Sequence, residues 1–121
     1  MIGIGIDAVD VDRFRSVLQR RATLAARLFT DAERRYAEGA RDPSERFAAR
    51  FAAKEAVMKV LGVGLGAVRF TEIEVVKLDT GAPELRLHGR AAELARELGA
   101  TRWHVSMTHT SAIAQAVVAA E

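Results

Sequence analysis

The chain has 121 residues, half of them hydrophobic and 28% charged, with a formal net charge of +2 and no cysteine. This describes a globular domain spanning residues 1–121 and excludes disulfide or thiolate chemistry. No apolar run approaches the ~20 residues that a membrane-spanning helix needs, no secretory leader pattern opens the chain, and a cytoplasmic setting is expected.

The chain begins MIGIGIDAVDVDRF. Ile2, Ile4 and Ile6 alternate as in a strand, but Val9 and Val11 fall in the other phase. A bulge or bend near Asp7 and Ala8 is the expected reconciliation. Asp7 then stands in an apolar strand, where an ionised carboxylate needs a cation or a metal. Residues 13–20 predict a short helix through Phe14, Val17 and Leu18. From Asp12 to Arg35 there are seven arginines against three acids. Such a surface suits an acidic partner or plain solvent; without interleaved aromatics, nucleic-acid binding is not expected.

Thr30 and Glu33 form a capping-box pattern, with Gly39 at the helix end. RDPSERFAARFAAKEAVMKVLG carries the strongest helical signal: Asp42 as cap, Pro43 in the first turn, Gly62 as stop. Phe47, Phe51, Lys54, Met58 and Leu61 make one stripe, and alanines cover most of the rest. A helix apolar nearly all round is central and buried, so Arg50, Lys54, Glu55 and Lys59 need partners or a ligand. A glycine loop follows, then FTEIEVVKL as a strand, DTGAP as a turn, ELRLHG as its partner, a helix over 90–98 ending at Gly99, and two final strands turning near Ser111. This order predicts an α+β fold, an antiparallel sheet packed against a long central helix and shorter helices.

Asp7 and Glu55 are the leading chemical pair, since two carboxylates with room for water and phosphate make a Mg²⁺ site. The simpler reading pairs Asp7 with Lys54 or Lys59. Lys59, one turn beyond Glu55, is either an ordinary i, i+4 partner or a cation for a phosphate. The glycines after the helix are a weak phosphate signal, because they follow the helix instead of preceding it. Ser106 and His109 lack an evident orienting acid, which disfavours a nucleophile pair and leaves His109 as a donor to a ligand phosphate.

Taken together and in order, GIGID, RFAAKEAVMK, the G-V-G that follows, GAP and VSMTHT resemble the short phosphopantetheinyl transferases, the holo-[acyl-carrier-protein] synthase family, over essentially the whole chain. The resemblance implies transfer of the phosphopantetheine arm of coenzyme A to a serine of an apo acyl carrier protein, releasing adenosine 3′,5′-bisphosphate. It implies Mg²⁺ on Asp7 and Glu55, with Lys59 beside them in catalysis. Coenzyme contacts are implied for Arg50, Lys59, Gly62, Gly64, Gly81, Pro83, His109 and Thr110, and carrier contacts for Arg13, Arg20 and Arg21. A homotrimer with sites between subunits is implied as well. Ala82 stands where the family often has lysine, removing one cationic contact, and Thr108 stands where it often has serine. The alternatives are a non-catalytic arginine-rich module that binds an acidic protein, and a Mg²⁺-dependent phosphohydrolase.

Overall fold

A computed structural model describes residues 1–121. The elements run β1 (Gly3–Asp10), α1 (Val11–Arg20), α2 (Leu24–Leu28), α3 (Asp31–Glu38), α4 (Pro43–Leu61), β2 (Ile73–Lys77), β3 (Pro83–Leu87), α5 (Gly89–Leu98), β4 (Trp103–His109) and β5 (Ile113–Ala120). The fold is α+β and its strands are all antiparallel, divided between a three-stranded sheet in the order β1-β5-β4 and a hairpin of β2 and β3. No helix is long and apolar enough to cross a membrane.

The central helix α4 forms where the sequence places it. Asp42 caps it by accepting from the Ser44 N–H, Pro43 opens it, and Gly62 closes it in the left-handed conformation. Ala48, Ala49, Ala52, Ala53 and Ala56 are all buried. Small side chains let the helix approach the sheet closely. At Gly5, a Cβ would lie 2.2 Å from the Ala56 carbonyl oxygen, so only glycine fits without displacing the strand. The Thr30–Glu33 capping box on α3 is present with both bonds made.

Strand β1 corrects the expected bulge. Its pairing with β5 is continuous, from Gly3 opposite Ala120 to Asp10 opposite Ile113. The phase change arises because both faces of the strand are apolar. Gly5, Asp7 and Val9 face α4, whereas Ile4 and Ile6 point away from it and are 65% and 63% exposed. Two further expectations shift. Phe70–Glu72 is a 3-10 turn and not strand, because the Glu72 carboxylate bends back to accept from the Arg69 N–H. Helix α2 has five residues, too few to give a periodic signal.

Lys54 is fully buried among apolar residues, and its charge is compensated by three acceptors. Its Nζ donates to Glu33 Oε1 at 2.8 Å, the Phe70 carbonyl at 2.9 Å and the Ile73 carbonyl at 2.5 Å. Glu33 also accepts from the Thr30 and Val75 N–H groups. The pair ties α3, α4 and β2 together, so Lys54 cannot be the partner of Asp7. Burial pushes the Lys54 pKa down, and Glu33 opposes that shift. Lys54→Met leaves the Glu33 carboxylate buried without its counter-charge. Denaturant unfolding should show a loss of about 3–5 kcal/mol.

Candidate active site

The Asp7 side chain, 17% exposed, leaves the α4-facing side of β1. Lys59 Nζ donates to Asp7 Oδ1 at 3.0 Å and to the Ile6 carbonyl at 2.7 Å. Of the two simpler pairings foreseen for Asp7, the structure makes the one with Lys59. Glu55 is half-buried on α4, one turn before Lys59. Burial raises its pKa first, the Asp7 charge raises it further, and Lys59 opposes both. The two acids therefore feel each other. Both line a cavity of about 1020 Å³, together with Arg13, Arg21, Phe14 and Phe51.

No group of three or more His, Cys, Asp and Glu side chains is placed to hold a metal by itself. Two carboxylates at the edge of an open cavity nonetheless fit Mg²⁺, a hard cation that keeps several waters and uses one or two carboxylates plus substrate phosphate. The like charges already strain Glu55, and a divalent cation between them would relieve that strain.

A second cavity, of about 670 Å³, lies at the other end of α4 and takes in Arg50, Gly81, Pro83 and His109. Arg50 is 5% exposed, and its Nε has no acceptor. His109 shares the helix-facing side of β4 with Met107, while Ser106 points to the opposite face, so the two are not a nucleophile–base pair. An acid does face His109: Glu45 Oε2 lies 3.4 Å from its Nδ1.

Several candidate residues line neither cavity in the isolated chain: Lys59, Gly62, Gly64, Thr110 and Arg20. Gly62 ends α4. Thr110 Oγ1 accepts from the Ala112 and Ile113 N–H groups and shapes the β4–β5 turn. From the glycine loop, Leu65 and Gly66 reach the carboxylate cavity instead. Sequence reasoning missed Tyr36, Glu45, Arg46 and Lys77 in the second cavity. Arg46 could have been found, four residues before Arg50 on one helix face; Tyr36 and Lys77 come from other elements and leave no such sign.

Comparison with known proteins agrees with this architecture. Residues 3–118 match the model of the 4′-phosphopantetheinyl transferase superfamily. The holo-[acyl-carrier-protein] synthase of Streptomyces avermitilis is 48% identical over 121 residues, covering 100% of this chain and 98% of the relative. That of Moorella thermoacetica is 45% identical, covering 100% and 94%. Among solved structures, the Neisseria meningitidis holo-[acyl-carrier-protein] synthase superposes with a TM-score of 0.89 at 34% identity, over 100% of this chain and 99% of that one. The Helicobacter pylori enzyme, solved in complex with coenzyme A, superposes with a TM-score of 0.86 at 29% identity, over 98% and 100%. The chain belongs to the 4′-phosphopantetheinyl transferase superfamily and, within it, to the holo-[acyl-carrier-protein] synthase enzymes.

Proposed function

We propose that the enzyme transfers the 4′-phosphopantetheine arm of coenzyme A to a serine of an apo acyl carrier protein, requires Mg²⁺, and releases adenosine 3′,5′-bisphosphate. The observation that carries the reading is the meeting of Asp7 and Glu55 in one cavity whose lining also includes Arg13 and Arg21. Asp7 and Glu55 would hold the Mg²⁺ ion, which when bound offsets charge on the coenzyme diphosphate. Glu55, a carboxylate of the same cavity, would take the proton from the carrier serine hydroxyl, directly or through one water. The serine oxygen attacks the phosphorus that bears the pantetheine arm. The bond from that phosphorus to the bridging oxygen breaks, and the electron pair leaves on the nucleotide phosphate. Lys59, more than half exposed, is free to turn from Asp7 toward that departing charge. Arg13, Arg21 and the neighbouring Arg20 of α1 offer cations to an acidic carrier surface.

In one chain, the carboxylates and the buried Arg50 belong to separate cavities. The outer face of the three-stranded sheet, with Ile4, Ile6 and Val117 contiguous, is apolar and exposed. Both features support a homotrimer in which a neighbouring copy covers that face and brings one chain's carboxylates to another's arginines.

With coenzyme A and Mg²⁺, apo carrier should gain the mass of one phosphopantetheine arm, measured by intact-protein mass spectrometry, and Glu55→Gln should abolish the gain. Carrier bound without any mass change would favour the non-catalytic module; coenzyme A cleaved without a carrier would favour the phosphohydrolase. In chelator, the same Glu55→Gln variant should unfold at a higher temperature than wild type at neutral pH. The folded-state pKa of Glu55 lies above its unfolded value, so the ionised side chain disfavours the folded state. The advantage should vanish below the unfolded value of about 4.3 and grow as pH rises through the folded value. Ile6→Glu should reduce the mass in solution to that of one chain by light scattering, with the circular dichroism spectrum retained.

A further inference from the structure

Three cations from two elements gather on one aromatic ring. The guanidinium carbons of Arg46 and Arg50 each lie 4.1 Å from the centroid of the Tyr36 ring, and Lys77 Nζ lies 5.6 Å from it. Arg46 Nη1 also donates to the Tyr36 carbonyl at 2.6 Å, so Arg46 is held at both ends of that residue. The cluster lines the cavity of Arg50, in which Asp42 is paired with Arg15 from outside the cavity and Glu45 faces His109 within it. Burial pushes the Arg50 pKa down, Tyr36 and the buried Glu33 carboxylate oppose this, and the Arg46 charge adds to it. With Arg41, Arg46, Arg50 and Lys77 in its lining against Asp42 and Glu45, the cavity carries an excess of positive charge, three of the cations arranged around one aromatic ring.

Arginine side chains lose considerable rotamer freedom on being fixed, and a planar group stacked on an aromatic face is fixed before any ligand arrives. Preorganisation of this kind raises affinity by lowering the ordering cost of binding. We propose that Tyr36 is a positioning residue for coenzyme A, its ring holding Arg46 and Arg50 ready for an anionic phosphate of the coenzyme. The inference rests on the coenzyme A reading given above. It assigns the effect to the ring and not to the backbone carbonyl, which any residue at position 36 retains.

The test compares wild type with Tyr36→Phe, Tyr36→Leu and Tyr36→Met, measuring coenzyme A affinity by calorimetry and, separately, KM and kcat in carrier modification. The two ringless variants should weaken coenzyme A binding and raise its KM by about ten-fold, the order expected for lost cation–π contacts, with kcat unchanged. Tyr36→Phe should match wild type. The Arg50 Nε–Hε resonance should be sharp in wild type and Tyr36→Phe and broadened in the ringless variants. Equal affinity in all four proteins, or a Phe variant as weak as the Leu variant, would overturn the assignment. So would a fall in kcat at constant KM. If neither ringless variant folds, Arg46→Lys, which keeps the charge but loses the planar group, should show the same weakening; wild-type affinity there would overturn the proposal. A wild-type protein that binds coenzyme A and modifies no carrier would remove the transfer reading while leaving the affinity comparison intact.

Discussion

The site depends on how closely β1 lies against α4. A helix lined with alanine packs against a strand that has glycine at the crossing, where the Ala56 carbonyl leaves no space for a methyl group. Two residues along the strand is Asp7, and one residue before Ala56 on the helix is Glu55. The backbone contact therefore decides that two acids far apart in the chain share one cavity. The cost is visible in Glu55, whose raised pKa records both lost hydration and the neighbouring negative charge. A site poised this way is less stable than it would be without its charges, which is the usual relation between activity and stability.

Helix α4 distributes charge along its length. Arg50 toward one end serves a cationic cavity, Lys54 in the middle is spent on Glu33 and two carbonyls, and Glu55 and Lys59 face Asp7. Each charge on this nearly all-buried helix has a separate assignment. Only Lys54 is purely internal: it fixes α3, the 3-10 turn and β2 against the helix.

Much of this was legible in the sequence. The cap, first-turn proline and terminal glycine of α4 are local signals, and the structure follows them. That Asp7 and Glu55 line one cavity could be anticipated because each acid is anomalous in its own apolar surroundings. What failed was the inference from apolar phase to bulge. Ile4 and Ile6 read as core residues, and period alone cannot distinguish a core in the same chain from a surface left open by it. Tyr36, Glu45 and Lys77 were invisible for a different reason. Their significance lies in meeting Arg50 and His109 across α3, α4, β2 and β4, and no local pattern encodes such a meeting.

The open side of the three-stranded sheet has a consequence outside the chemistry. Strand β1 is at the sheet's edge and also presents Ile4 and Ile6 to water. An edge strand beside a greasy surface is a template for indiscriminate stacking. A chain whose outer sheet face stays uncovered is therefore exposed to aggregation, and the time that face spends open bears on the yield of usable protein as much as folding does.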